Sequence, residues 1–410
     1  EAMKKLGFGG LLMFDSRGYW DDERHVVNPK PKFDFMSPEW QDHVVFAINE
    51  AARLGLKFTM NMSSSGGKLD GPWSVGADAP KRLVYRFYRP GETFGEAGLP
   101  HYRDIDAQEI WYEGDEIAID GRWLDGGEGE IARSDSSQVR STEIGKGAMR
   151  SLVAKGASGA KCVKVRFGYT VLPEHEHDVD VLDPKAVAGH FERFQGTLQS
   201  KLPGLVGRDK TLSALYSVSW EGSMPTWTGD FENEFRKFAG FDVKPNLPYL
   251  AGFTDAGREK FMVAYRRARN DMFRENFYGT MRDLAHARGL DWYSESGGPW
   301  SRAPHLFREA DQLEYLAVND FPQGEFWPVR EKFTTPDAGF ENANGRFHLR
   351  GAVSCAHIYG KRIVAAEAFT HMHRHWSVDP AFLKPLGDQA FADGVNRMVW
   401  HTFTCSPDEF

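Results

Sequence analysis

The sequence has 410 residues, and its 58 acidic against 50 basic residues give a formal net charge of −8. This balance, without a run rich in lysine or arginine, argues against nucleic acid as the main partner, and no stretch approaches the ~18 consecutive apolar residues of a membrane span. The three cysteines include no CxxC pair, which excludes a disulfide framework or a cysteine-rich zinc site.

The first 80 residues predict one βα unit of a parallel sheet. An apolar run at residues 11–15 predicts a short buried strand. Ser37 and Pro38 then supply an N-cap and a proline at the first helical position, and apolar residues recur at helical spacing until Gly55. Residues 56–61 predict the next strand, so this segment has the order expected of a parallel sheet.

This βα order is interrupted between residues 81 and 182. Alternating apolar and polar residues at 110–112 and 116–119, followed by Gly/Asp turns, predict short antiparallel strands. We interpret residues 81–182 as a β-rich insertion, which divides the chain into residues 1–80, the insertion and residues 183–410.

The βα order resumes with a helix that begins at Asp183 and Pro184. A long helix is predicted near residues 257–288, where apolar residues again follow the helical period. Strands are predicted at 212–218, 290–295, 313–318, 363–366 and 397–401.

These segments make seven predicted strands, and an eighth would precede residue 1. Repeated βα units with polar residues at the strand carboxyl ends are typical of an α/β fold of the (β/α)8 TIM-barrel type. We therefore expect such a barrel, incomplete at both ends, with the chain forming part of a longer protein.

Four glutamates lie at or just after predicted strand ends: Glu221, Glu295, Glu325 and Glu367. In a closed barrel they would converge on one mouth, whereas a rim of solvated acids is the simpler explanation. Converging carboxylates must share protons, bind a cation or take part in acid–base work, and glycoside hydrolysis uses two of them. The surplus suggests a hard cation such as Ca²⁺.

Aromatic residues make up 13% of the chain and often stand beside glycine, proline and acids, which favours a carbohydrate substrate. A second possible site is the series His371, His373 and His375, since alternating histidines can bind zinc. A zinc hydrolase therefore stays open as an alternative, although substrate contact or ordinary packing also explains these histidines.

Several motifs, taken in order, resemble the catalytic barrel of glycoside hydrolase family 106, whose known members are α-L-rhamnosidases. The matching segments cover most of the chain outside the insertion: residues 1–10, 37–40, 219–221, 235–237, 240–242, 247–248, 294–297, 322–327, 352–361, 366–370 and 394–397.

The resemblance implies an inverting, calcium-assisted α-L-rhamnosidase. Glu221 then matches the general acid and Glu367 the general base, while Glu325 would hold calcium or the sugar hydroxyls. The remaining residues expected to bind substrate are Glu295, Trp220, Trp327, His371 and His401. The family also implies flanking β-domains in the same chain and a periplasmic or secreted location.

One motif departs from the family pattern. Cys405, Ser406 and Pro407 stand where the family has His-Ser-Pro, so His401 is the candidate to replace that histidine. Besides the rhamnosidase and the zinc hydrolase, a non-catalytic carbohydrate-binding barrel stays open as a third interpretation.

Overall fold

The computed structural model describes residues 1–14, 33–63, 67–127, 150–172, 177–220, 224–295, 310–326, 345–370 and 378–401. The strands within these ranges are β1 (Gly10–Met13), β2 (Lys57–Asn61), β3 (Lys81–Tyr88), β4 (Arg103–Glu113), β5 (Leu124–Asp125), β6 (Arg150–Leu152), β7 (Lys161–Val171), β8 (Leu212–Ser217), β9 (Phe253–Thr254), β10 (Asp291–Ser294), β11 (Gln323–Phe326), β12 (Ala365–Ala368) and β13 (Arg397–Trp400).

The α-helices in the same ranges are α1 (Ala2–Lys5), α2 (Pro38–Leu54), α3 (Pro184–Phe191), α4 (Thr197–Gln199), α5 (Phe231–Ala239), α6 (Leu247–Leu250), α7 (Arg258–Met272), α8 (Thr280–Ala287), α9 (Gln312–Val318), α10 (Gly345–Tyr359) and α11 (Pro380–Asp393). A π-helical stretch, Phe273–Gly279, makes α7 and α8 continuous. None of these helices combines the length and the apolar character that a membrane crossing requires.

Seven parallel strands form a curled sheet. Strands β1, β2, β8 and β10 pair in that order, and β11, β12 and β13 form a second group. The ring of Phe8, just before β1, meets the ring of Trp400 on β13 with centroids 6.4 Å apart, so the two ends of the curled sheet approach each other. The described chain thus shows a mixed α/β fold with seven parallel strands, and an eighth strand closing a full barrel is not among them.

The two groups of strands meet between β10 and β11. Glu295 and Gln323 form an isolated parallel bridge there. Side chains complete the junction: Asp320 accepts a hydrogen bond from the backbone N–H of Trp292 at 2.7 Å, and Asn319 accepts one from the N–H of Ser294 at 2.8 Å. The loop before β11 therefore occupies part of the β10 edge where a neighbouring strand would otherwise pair.

Alternation along each strand separates an inner face from an outer one. On β12, Ala366 and Ala368 pack in an apolar cluster with Leu349 of α10, whereas Ala365 belongs to the cluster inside the curl. Because strand side chains alternate between faces, Glu367 points to the same side as Ala365. An apolar strand can thus carry one acid into the interior of the curl.

The capping signals at the start of the chain act as predicted. The Ser37 side chain accepts a hydrogen bond from the N–H of Trp40, Pro38 opens α2, and Gly55 ends the helix with φ +65°. Only a residue without a Cβ adopts this left-handed conformation at low cost. The apolar face of α2 is buried against the outer side of the sheet, which places β2 next to β1.

One predicted strand is wrong. Residues 313–318 form helix α9, which begins where the Asp311 side chain accepts a hydrogen bond from the N–H of Leu313. Its buried residues Tyr315, Leu316 and Val318 fit a short helix as well as a strand, since periodicity alone does not separate the two in so short a run. The parallel strand in this part of the chain is instead β11, which follows α9 and contains Glu325.

The interruption after residue 80 contains an antiparallel sheet in the order β5-β3-β7-β4-β6-β9. Strands β3 to β7 lie inside residues 81–182, whereas β9 comes from later in the chain and pairs parallel with β6. Residues 110–112 belong to the longer strand β4, and the predicted strand at 116–119 is irregular. A bend at Gly114 and Asp115 ends β4, and the alternating residues after it do not form the second predicted strand.

A buried ion pair lies between this sheet and the rest of the chain. Lys81, the first residue of β3, places its Nζ 3.0 Å from Oδ2 of Asp180, whose side chain is fully buried. The same oxygen accepts a hydrogen bond from the hydroxyl of Thr228 at 2.8 Å, and Oδ1 accepts one from the N–H of Leu182 at 3.0 Å. Every oxygen of this carboxylate therefore has a donor.

Candidate active site

Three carboxylates converge at the carboxyl ends of neighbouring parallel strands. Glu295 directly follows β10, Glu325 lies in β11 and Glu367 lies in β12. One carboxylate oxygen from each lies within 4.8 Å of one from each of the others. We call these residues the carboxylate cluster.

Parallel pairing explains the convergence. Glu325 and Glu367 are register partners on β11 and β12, and Glu295 bridges to Gln323, two residues before Glu325. Register partners on adjacent strands point to the same side, and residues two apart on one strand also share a face. The backbone register therefore directs all three carboxylates into the curl.

Glu295 is the most enclosed member of the cluster. It is 2% exposed, and its Oε2 accepts hydrogen bonds from the hydroxyl of Tyr216 and the N–H of Ser219, both at 3.2 Å. Burial raises the pKa of Glu295 well above its ordinary value, and the charge of Glu367, a hydrogen bond shared with Glu367 and the charge of Glu325 raise it further. Without a cation, Glu295 therefore holds a proton more readily than an ordinary glutamate.

Glu367 is held by the side chains of Thr370 and His401. Its Oε1 accepts a hydrogen bond from the hydroxyl of Thr370 at 2.5 Å, and Nδ1 of His401 lies 3.2 Å from the same oxygen. Nδ1 of His401 also lies 2.9 Å from the Thr370 hydroxyl oxygen. Burial lowers the pKa of His401, although the charges of Glu295 and Glu325 act against it. This environment favours the neutral imidazole.

The donor set of the cluster suits a hard cation. Three carboxylates within 4.8 Å offer only oxygen ligands, which is the chemistry that Ca²⁺ binds, whereas zinc sites in proteins usually include imidazole or thiolate. A cation would also offset the repulsion among these three acids, of which Glu295 and Glu325 are buried. Glu325, which is 4% exposed, lies in this oxygen-rich environment.

The structure brings together Glu295, Glu325, Glu367 and His401 from the set predicted by sequence. Trp220 is elsewhere: it is 5% exposed, and its ring packs edge-on against Phe273 and Phe277 of the π-helical stretch, on the helix side of the sheet. The other predicted residues lie outside the described residues: Glu221, Trp327, His371, His373 and His375.

Sequence reasoning missed two residues that contact the cluster. Tyr216 points inward from β8, where it read as part of an apolar strand, and its hydroxyl also accepts a hydrogen bond from Gln323 at 3.4 Å. Thr370 follows Glu367 by three residues, and a hydroxyl so close to a strand-end acid was the available signal. No pattern in the neighbouring residues predicts the contact of Thr370 with His401, which directly follows the next strand, β13.

Similar proteins place this geometry in context. A protein of Formosa agariphila named "Putative beta-glucuronidase" is 27% identical over 446 residues, which cover 99% of this chain and 35% of that protein. The solved structure titled rhamnosidase from Novosphingobium sp. PP1Y matches 99% of this chain and 53% of its own with a TM-score of 0.74 at 21% identity, so it supports the fold. The chain thus spans about a third of one relative and about half of the other.

The family model described as alpha-L-rhamnosidase, glycoside hydrolase family 106, matches residues 1–94 and 165–409. The unmatched residues 95–164 include β4, β5 and β6 of the antiparallel sheet, whereas all three acids of the carboxylate cluster lie within the match. The resemblance inferred from the motifs is therefore confirmed, and the chain belongs to glycoside hydrolase family 106.

Proposed function

We propose that the protein is a glycoside hydrolase that removes terminal α-L-rhamnosyl residues from plant or microbial glycans and glycosides. The observation that carries this proposal is the carboxylate cluster, because acids converging inside a parallel sheet are the groups that glycosidic cleavage requires. Family membership supports the same reaction class. The seven-stranded curl would then be most of a (β/α)8 barrel, with its mouth at the cluster.

The mechanism that we propose is inverting and uses Glu367 as the general base. Glu367 would take a proton from the attacking water, and its Oε1 already accepts a hydrogen bond from the hydroxyl of Thr370. Glu221, which follows Trp220 beyond β8, is the proposed general acid and would protonate the leaving oxygen. In inverting enzymes the two groups stand about 6.5–9.5 Å apart, which leaves room for the water.

We further propose that the enzyme uses calcium and that Glu325 is a ligand, with Glu295 beside it. The fit rests on the all-oxygen donor set. Calcium, when bound, supplies positive charge that holds sugar hydroxyls. The family resemblance adds flanking β-domains of the same longer chain and a periplasmic or secreted location to the proposal.

A uronide is the second candidate substrate, and the name of the Formosa agariphila relative favours it. The sugar of a uronide carries a carboxylate. Cleavage that releases this sugar would therefore need a cation or another positive group near the carboxylate cluster. The two candidates share the same acid–base chemistry and differ in the sugar.

Hydrolysis of aryl α-L-rhamnoside and aryl β-glucuronide by the full-length parent tests this proposal. We expect turnover of the rhamnoside that EDTA abolishes and calcium restores, with the β-anomer of rhamnose as the first product seen by NMR. Glu221→Gln should lower kcat by about 10²–10⁴-fold, whereas Glu96→Gln, at an exposed side chain, serves as the matched control.

Each alternative result contradicts one part of the proposal. Turnover of the glucuronide alone would show that the substrate is a uronide and not a rhamnoside. Release of the α-anomer of rhamnose would show that the mechanism is not inverting. Activity restored by zinc but not by calcium would point to the histidines at 371–375. No turnover on either glycoside or on a wider panel would leave a carbohydrate-binding barrel.

A further inference from the structure

Thr370 lies at the centre of a short hydrogen-bonded chain that ends on the proposed base. Its hydroxyl oxygen is 2.5 Å from Oε1 of Glu367 and 2.9 Å from Nδ1 of His401. The residue is 2% exposed, so bulk water has little access to this hydroxyl. We propose that Thr370 is a positioning residue that fixes the orientation of the Glu367 carboxylate, an inference that rests on the proposed role of Glu367.

The direction of each hydrogen bond follows from the chemistry of the groups. A carboxylate can only accept, so the Thr370 hydroxyl uses its single proton toward Glu367. The hydroxyl oxygen then accepts from His401, which requires that His401 carry its proton on Nδ1. The chain therefore runs from imidazole to hydroxyl to carboxylate.

The backbone before Thr370 is bent to make this contact. Phe369 has φ +66°, a left-handed conformation that a side chain with a Cβ rarely adopts. Its ring is held against Phe326 and Trp400, with centroids 4.9 and 4.7 Å away, and a Cβ at Gly387 would come within 3.1 Å of its tip. The aromatic packing thus offsets a strained turn whose result is to bring Thr370 back to the strand that precedes it.

Fixing the carboxylate matters because a glutamate side chain has several rotamers. A base that accepts a proton from water must be aligned with that water, and small misplacements at reacting groups can cost about 10²-fold in rate. A buried hydroxyl that donates to one carboxylate oxygen selects one orientation of the side chain. Loss of this hydroxyl should therefore affect kcat more than KM.

The test compares Thr370→Val, which removes the hydroxyl at nearly constant shape, with Thr370→Ser, which keeps it. In the full-length calcium-loaded enzyme we expect Thr370→Val to lower kcat by about 10–100-fold and to change KM less than about threefold. Thr370→Ser should recover most of the lost rate. Thr170→Val, which removes a buried hydroxyl donor of the antiparallel sheet, is the matched control and should lower Tm without lowering kcat.

A second pair of variants keeps the inference testable if Thr370→Val folds poorly. His401→Asn retains a donor near the Nδ1 position, whereas His401→Leu removes it. If His401 acts with Thr370 on Glu367, His401→Leu alone should lower kcat with little change in KM, and His401→Asn should keep most of the rate. Where Thr370→Val folds, the double variant Thr370→Val/His401→Leu should lose about as much kcat as the more impaired single variant.

Three results would overturn the inference while the wild-type enzyme is active. They are a Thr370→Val variant with the kcat of wild type, a Thr370→Ser variant as impaired as Thr370→Val, and fully additive losses in the double variant. Failure of the proposed function is a separate result: the wild type would not cleave the glycosides, or Glu367→Gln would retain activity.

Discussion

Two sites in the described part of the chain enclose acidic side chains, and their surroundings differ. Asp180 is paired with Lys81 and receives further hydrogen bonds from Thr228 and the N–H of Leu182. The carboxylate cluster instead brings Glu295, Glu325 and Glu367 to within 4.8 Å, and its described donors are hydroxyls, a backbone N–H and an imidazole. One site pairs opposite charges, whereas the other gathers like charges.

The contrast separates a structural acid from acids that we propose to be functional. A buried ion pair with complete hydrogen bonding has no remaining demand for a ligand, and here it connects the antiparallel sheet to the rest of the chain. Three acids inside one curl are repelled by each other and are stabilised by a proton, a cation or a substrate. Repulsion that a bound species can relieve is the property expected of a site that binds and reacts.

The largest expected effect concerns activity. Glu367→Gln should lower kcat by about 10²–10⁴-fold, because an amide cannot accept the proton from water. The matched change Asp180→Asn should lower stability and leave the kcat of the folded protein near that of wild type. Initial rates on an aryl α-L-rhamnoside, corrected for the folded fraction by circular dichroism, make the measurement. Equal losses of kcat in both variants would remove the distinction between the two sites.

The next effect concerns stability. Lys81→Met leaves Asp180 buried without its counter-ion and should lower the free energy of unfolding by about 3–5 kcal/mol. Lys237→Met removes one partner of an exposed pair with Glu234 and should cost less than about 1 kcal/mol. Urea unfolding of both variants provides the comparison. A loss at Lys81 as small as that at Lys237 would show that the buried pair does not stabilise the fold.

The smallest effect is a pH dependence of the cluster in EDTA. Because the pKa of Glu295 is raised in the folded state, binding of a proton there stabilises the fold, and this contribution is lost as the pH rises from about 4.5 through the folded pKa. The free energy of unfolding should fall over this window by about 1.4 kcal/mol for each unit between the folded and unfolded pKa.

Glu295→Gln should flatten that part of the profile relative to wild type, since the amide does not titrate. Urea unfolding at a series of pH values measures both profiles. Parallel curves for wild type and Glu295→Gln would indicate that Glu295 titrates alike in the folded and unfolded states.

Local rules in the sequence were enough to predict much of the fold. Ser37, Pro38 and Gly55 carry capping signals that depend only on neighbouring residues, and α2 follows them. The rule that chemistry lies at the carboxyl ends of parallel strands led to Glu295, Glu325 and Glu367. Residues 313–318 show the limit of this approach, because tertiary packing and the Asp311 cap decide in favour of a helix.

The sequence did not predict contacts between residues that lie far apart in the chain. Thr370 and His401 are 31 positions apart and meet only because β12 and β13 pair. The inward direction of Tyr216 depends on the register of β8, which the apolar run does not reveal. Trp220 illustrates the same limit, since its place beside Glu221 in sequence does not show which face of the sheet its ring occupies.

The junction between β10 and β11 has a consequence for how this site can change during evolution. Glu295 stands on one side of that junction and Glu325 on the other, and side chains of Asn319 and Asp320 take positions that a neighbouring strand's backbone would fill. A backbone ladder resists point mutation, whereas side-chain contacts change with one codon. We therefore expect substitutions of Asn319 or Asp320 to shift the spacing between Glu295 and Glu325 more readily than substitutions in strands that pair through a full backbone ladder.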